Sequence, residues 1–290
     1  MTLIINALSE ISDRYEALFV DLWGCVHNGV AAIPSAVTAL QDYRRRGGVV
    51  ILVTNAPRSR HEVAKQLTRF GVPECAWDDI ATSGDSARAA MFQGAVGQKV
   101  WFMGQPFDDS FFEPLEIVDA PVEITRVDLD EADGIVCCGP FDPHADPDVN
   151  RPQFLFAKQK GLKLLCANPD IVVDRGEQRE WCAGALAGLY TDMGGESLYF
   201  GKPHPPIYDL ARRRLASLRA GVLDVSILAI GDGPHTDIDG AMGEDIDSLF
   251  VTGGLARSET KTTQQPESDA LNTYITSEMI NPNFSIGTLR

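Results

Sequence analysis

Four short stretches of this chain each carry residues that could do chemistry together. ALFVD ends in Asp21, VVILVTN ends in Thr54 and Asn55, SLYFGKP carries Lys202, and SILAIGD ends in Asp232. These residue types suit transfer of a phosphoryl group to a carboxylate. That reaction needs an oxygen nucleophile in line with the leaving group, cations to absorb charge on the equatorial oxygens, and donors to hold the phosphoryl group. Asp21 can be the nucleophile, forming an aspartyl-phosphate that water later cleaves. Asp21 and Asp232 can share Mg²⁺, an oxygen-seeking ion that keeps several waters. Lys202 can bridge nucleophile and phosphate, and Thr54 and Asn55 can donate to phosphate oxygens. Asp237, five residues after Asp232, can complete the metal site through a bound water, orient Lys202, or simply cap the short helix that follows. Cys25 reads as small-residue packing, because no base is visibly paired with it. Asn168 and Asp170 stay open between a substrate-facing edge and a plain turn before Ile171.

The elements that must position these residues alternate. ALFVD (17–21) and VVILVTN (49–55) read as buried strands. Between them Pro34 opens a helix through Arg46, and Gly47-Gly48 ends it. Ser59 with Glu62 has the capping-box spacing for a helix to Phe70, with Gly71 after it, and IATSG (80–84) ends a third strand. This βαβαβ order predicts a parallel sheet flanked by helices. KVWFMG (99–104), GIVCCG (134–139) and KLLCANPD (163–170), with a helix over 153–160, form a second α/β alternation. The strands of residues 197–203, 226–232 and 248–254 then return to the first sheet. From Ala256 the chain is polar and weakly patterned, and reads as a partly ordered extension. Candidate residues at the carboxyl ends of several strands converge on one sheet edge, where open parallel sheets bind ligands.

The 290 residues suit two domains, and the apolar fraction of 44% fits a globular protein. A net charge of −16 repels phosphate backbones, which argues against nucleic acid as a partner. No apolar run reaches bilayer length, so no membrane partner is expected. The N-terminal stretch has neither a basic leader nor a small-residue cleavage site, and the six cysteines form no C-x-x-C pair. Both point to a cytoplasmic protein with buried free thiols.

DLWGCVHNG (21–29), LVTNAPR (52–58), FGKPHPPIY (200–208) and IGDGPHTDIDGA (230–241) together resemble, in order and spacing, the four motifs of the haloacid dehalogenase superfamily. CANPD (166–170) and WCAGALAGLY (181–190) resemble its branch with a large α/β cap, the NagD-like and p-nitrophenyl phosphatase-like proteins. The resemblance implies an α/β fold: a Rossmann-like core over 1–84 and 194–290, with a smaller α/β cap inserted at 85–193. It implies Mg²⁺, a small phosphorylated metabolite as substrate, and a homodimer paired through the cap. Carried over by position, Asp21 is nucleophile and metal ligand. The backbone carbonyl of Trp23 and the side chain of Asp232 are further ligands, and Thr54, Asn55 and Lys202 bind phosphate.

The resemblance breaks at one position. Phosphatases of this family carry an acid/base Asp two residues after the nucleophile, and here that residue is Trp23. A positioned acid/base contributes roughly 10²–10⁴-fold in rate. His27, in the same loop, is the first candidate to replace it, followed by His204 and His235. Otherwise the leaving group must need little protonation, or turnover is slow. Two alternatives stay open: a metal-independent carbon–halogen hydrolase, in which Asp21 attacks carbon, and a weakly active phosphometabolite-binding protein.

Overall fold

The apolar runs ahead of the candidate residues are all strands. The computed structural model describes residues 2–113, 115, 118, 120–175 and 178–290. Its strands are β1 (Leu3–Ile4), β2 (Ala17–Val20), β3 (Val49–Thr54), β4 (Asp79–Thr82), β5 (Lys99–Met103), β6 (Thr125–Arg126), β7 (Gly134–Cys137), β8 (Lys163–Cys166), β9 (Val172–Arg175), β10 (Gln178–Trp181), β11 (Glu196–Tyr199), β12 (Ile227–Gly231), β13 (Asp247–Val251) and β14 (Phe284–Ile286). Its α-helices are α1 (Pro34–Arg45), α2 (Arg60–Phe70), α3 (Ser83–Phe92), α4 (Arg151–Gln159), α5 (Ala183–Asp192), α6 (Pro205–Leu218), α7 (Asp239–Gly243) and α8 (Ser268–Ser277). The chain divides into two compact units. The first comprises Met1–Thr54, His61–Ala81 and Tyr208–Arg290; the second comprises Asn55–Arg60 and Thr82–Ile207.

The first unit is built on a seven-stranded sheet in the order β1-β14-β13-β12-β2-β3-β4. Every residue of β2, β3 and β12 is buried, as parallel strands covered on both faces must be. Apolar side chains such as Leu18, Leu52 and Leu228, all fully buried, contribute about 1.5–3 kcal/mol each to holding these strands in the interior. From β2 the chain steps through β3 to β4 on one side; from β12 it steps through β13 to β14 on the other. The strand order therefore reverses between β2 and β12, and such a switch point opens a crevice at the carboxyl ends. Helix α1 starts at Pro34 and buries Ala36, Leu40 and Tyr43, one stripe at helical spacing.

Two expectations are corrected here. The stretch after Ala256, expected to be a partly ordered extension, supplies α8 and β14, and β14 sits inside the sheet. Phe284 pairs with Leu3 on one side and Leu249 on the other. Its polar residues are ordered because they satisfy one another: Thr260, Thr262 and Thr252 are buried and linked hydroxyl to hydroxyl at 2.7 and 2.8 Å. The expected boundary near residue 193 also moves. The strand near 197, assigned above to the first sheet, is β11, which pairs with β8 (Leu198 opposite Leu165) in the second unit.

The second unit is a five-stranded parallel sheet in the order β11-β8-β7-β5-β6, with a separate antiparallel pair, β9 and β10. Its strands alternate cleanly. Ile135, Cys137, Leu164 and Cys166 pack with Phe154, Leu186 and Tyr190 of α4 and α5. Val100, Val136 and Leu165 pack with Ala87, Met91 and Phe92 of α3. A period of two thus feeds two apolar layers, one on each face of the sheet.

Candidate active site

Asp21 is the first residue past β2 and Asp232 the first past β12. The parallel register sets Val20 opposite Ile230, and the Asp21 N–H donates to the Ile230 carbonyl at 2.8 Å. Neighbouring strands lie about 4.8 Å apart, so two side chains leaving adjacent strand ends are brought together. Carboxylate oxygens of Asp21 and Asp232 and the Cys25 sulfur all lie within 4.8 Å of one another, and all three residues are buried. Asp232 is fixed by its surroundings. The Leu255 N–H donates to its Oδ2 at 3.0 Å, and a Cβ on Gly24 or Gly254 would overlap that same oxygen. Gly24 also has φ +74°, a conformation that glycine adopts without steric cost. Cys25, read from sequence as packing alone, is a wall of this acidic cluster; only the turn of residues 22–27 brings its sulfur there.

Asp237, expected at the metal site, lies outside this cluster. Its Oδ2 accepts from the Gly233 N–H at 3.1 Å and its side chain lies against Gly231, so it closes the loop that carries Asp232. His27 is the residue expected as proton donor. It is 3% exposed, its Nδ1 accepts from the Gly29 N–H at 3.0 Å, and its ring meets the edges of Trp23 and Phe70 at 5.4 and 4.9 Å. Burial lowers its pKa from 6.5 to about 4, so it is neutral near pH 7 and serves as a packing element under Trp23. His235 is exposed and bridges Asp239 (3.0 Å) and Glu278 (2.8 Å), which raise its pKa. Thr54 is buried as the last residue of β3.

The remaining candidates belong to the second unit. Asn55 and Lys202 are buried and interlocked. The Asn55 Oδ1 accepts from the Lys202 N–H at 2.7 Å, and its Nδ2 donates to the Lys202 carbonyl at 3.1 Å and to Asp170 Oδ1 at 2.8 Å. Gly201 permits this approach: a Cβ there would come within 2.5 Å of Asn55 Oδ1 and 2.6 Å of Pro169 Cδ. His204 stacks on Tyr199 at 4.7 Å, and burial lowers its pKa.

Comparison with known proteins gives the family. The family model described as haloacid dehalogenase-like hydrolase matches residues 18–117, and a second, HAD-hydrolase-like, matches residues 199–276. The crystal structure of a haloacid dehalogenase-like hydrolase from Brucella suis 1330 is 35% identical, with a TM-score of 0.85 over 99% of this chain and 100% of that one. This chain belongs to the haloacid dehalogenase-like family. A D-glycerol 3-phosphate phosphatase from Mycobacterium tuberculosis is 27% identical over 252 residues, which is 86% of this chain and 66% of that protein. The chain thus spans about two thirds of the length of that curated relative. The crystal structure of a glycerol phosphate phosphatase from the same species, in complex with calcium, is 25% identical, with a TM-score of 0.64 over 84% of this chain and 68% of that one.

In this haloacid dehalogenase-like hydrolase Trp23 lies two residues past Asp21, in the turn beside the acidic cluster. The indole covers Gly29, where any Cβ would meet its ring, so the residue at the acid/base position fills space and offers no carboxyl proton. The acidic cluster nevertheless suits a divalent cation. Two carboxylates held this close repel each other, a cation between them relieves that repulsion, and carboxylate oxygens are the ligands that Mg²⁺ and Ca²⁺ prefer.

Proposed function

We propose that this hydrolase is a Mg²⁺-dependent phosphatase acting on small phosphate monoesters through an aspartyl-phosphate at Asp21. The observation that carries the reading is the meeting of two buried carboxylates, Asp21 and Asp232, within 4.8 Å at the ends of adjacent parallel strands. A carboxylate oxygen of Asp21 attacks phosphorus, the ester P–O bond breaks, and its electron pair leaves with the alcohol or phenol oxygen. Water then attacks phosphorus, the P–O bond to Asp21 breaks, and phosphate leaves with the carboxylate restored. Asp21, Asp232 and the Trp23 carbonyl would hold Mg²⁺, which would supply positive charge for the phosphoryl oxygens. Thr54, Asn55 and Lys202 are the phosphate-binding residues of this reading, by their place in the motifs.

With Trp23 at the acid/base position and His27 neutral, neither protonates the leaving group. Aryl esters, whose phenol leaves readily, should therefore outpace alkyl esters. The relative's substrate, glycerol 3-phosphate, supplies the alkyl case. We expect kcat/KM for p-nitrophenyl phosphate to exceed that for glycerol 3-phosphate by about 10²-fold or more, the worth of a positioned acid. Hydrolysis of p-nitrophenyl phosphate should require Mg²⁺, stop with EDTA, and fall about 10⁴-fold or more in Asp21→Asn. Turnover that survives both chelation and that substitution would sink the reading.

The proposal includes a cytoplasmic setting, supported by five buried cysteines among six. Among the described residues no helix is long and apolar enough to cross a membrane. It also includes a homodimer paired through the second unit, which analytical ultracentrifugation tests.

A further inference from the structure

Asn55 has two side-chain N–H groups, and both are committed. One donates to Asp170 Oδ1 at 2.8 Å, the other to the Lys202 carbonyl at 3.1 Å, while its Oδ1 takes the Lys202 N–H at 2.7 Å. The orientation of the amide is unambiguous, because a carboxylate and a carbonyl only accept and a backbone N–H only donates. Its side chain thus has no N–H left for a phosphoryl oxygen. It holds both backbone groups of Lys202, as a neighbouring strand would, and Asp170 holds the amide from behind. Asp170 is itself placed with care. Its N–H donates to Asn168 Oδ1 at 3.1 Å, and its carbonyl accepts from the N–H of Gly184, in the first turn of α5, at 3.1 Å. A Cβ on Gly184 would overlap the Pro169 carbonyl, so the loop of residues 168–170 lies directly on the start of that helix. Asn55, Asp170, Gly184 and Lys202 all belong to the second unit.

We propose that Asp170 is a positioning residue for phosphoryl transfer: by orienting the Asn55 amide it fixes the backbone of Lys202, and with it the place from which that lysine extends its ammonium group. This rests on the phosphatase reading for the role of Lys202. It reassigns the Asn55 side chain from binding phosphate to stapling the lysine loop, and gives Asp170 a task that is neither substrate contact nor a plain turn. An acceptor oxygen at position 170 is required; its negative charge is secondary.

The test is a double-mutant cycle on the full chain with Mg²⁺, using p-nitrophenyl phosphate. Asp170→Ala and Asn55→Ala should each lower kcat/KM by up to about 10²-fold, the cost of misplacing a catalytic group by about 1 Å. The double variant should be no worse than the worse single one, because both act along one path. Asp170→Asn keeps an acceptor oxygen and should recover most of the activity. In ¹⁵N spectra the Asn55 side-chain amide protons should exchange slowly in the wild type and in Asp170→Asn, and rapidly in Asp170→Ala. Additive losses in the cycle, wild-type kcat/KM in Asp170→Ala, or an Asp170→Asn variant as impaired as Asp170→Ala would overturn the inference. A wild-type chain whose Mg²⁺-dependent hydrolysis is absent or unaffected by Asp21→Asn would instead overturn the phosphatase reading, with the amide exchange still reporting whether Asp170 holds Asn55.

Discussion

The first unit brings Asp21 and Asp232 together as like charges, whereas the second joins Asp170, Asn55 and Lys202 as donors and acceptors in order. Asp21, Asp232, Asn55 and Lys202 are buried and Asp170 is half-buried, and both groups stand on loops that follow parallel strands, yet their energetics differ. Hydrogen bonds to a charged group contribute about 1.5–3 kcal/mol each, so the Asp170–Asn55 contact stabilises its loop unaided. Two neighbouring carboxylates repel each other, and a cation bound between them relieves that repulsion. One cluster offers carboxylate oxygens that suit a divalent cation; the other holds the backbone of a lysine in place. Backbone packing serves both, since Gly24 leaves room for Asp232 and Gly201 leaves room for Asn55.

That contrast can be broken from either side. The largest effect is expected at His27, which underlies the acidic loop. Its folded pKa, about 4, lies below the 6.5 of an ordinary imidazole, so the folded state prefers the neutral ring. The associated stability is fully present above pH 6.5 and is lost as pH falls toward 4. At about 1.4 kcal/mol per pH unit this amounts to ~3 kcal/mol. Chemical denaturation across that window should show the loss in the wild type and a flatter profile in His27→Asn. Next, Gly24→Ala places a methyl group against Asp232 Oδ2 at a positive φ. It should cut kcat/KM by about 10²-fold and weaken Mg²⁺ binding, with the Asn55 amide untouched. The smallest effect belongs to Gly201→Ala, whose methyl group presses on Asn55 Oδ1. Roughly a tenfold loss of kcat/KM is expected, about 1.4 kcal/mol, with Mg²⁺ affinity unchanged. If the two glycine variants gave the same pattern of metal affinity and rate, the division of labour between the clusters would be wrong.

Much of the first cluster was legible in the sequence, for a local reason. Asp21 and Asp232 each follow a run of buried apolar residues directly, and strands of that kind pair in parallel and end together. The helices α1, α2 and α4 were legible from proline and glycine punctuation, capping spacing and alternation with the strands. What escaped depends on partners far along the chain. β14 is three residues long, too short to show a period, and its place between β1 and β13 is set by register alone. β11 looks like any other apolar run, and nothing in SLYF says which sheet it joins. His27 looked like an available acid because its type suits proton transfer, while its burial against Trp23 and Phe70 is a tertiary fact. Cys25 and Asp170 lie inside legible motifs, but their partners do not show there; one gains its neighbours from a tight turn, the other from an amide 115 positions away.

The account depends most on a single cation held jointly by the ends of β2 and β12. Titration of the metal-free protein with Mn²⁺, followed by electron paramagnetic resonance of the free ion, measures this directly. One site per chain is expected, competed by Mg²⁺ and weakened at least about tenfold in both Asp21→Asn and Asp232→Asn. Undiminished Mn²⁺ binding in either variant would mean that these two carboxylates do not share an ion.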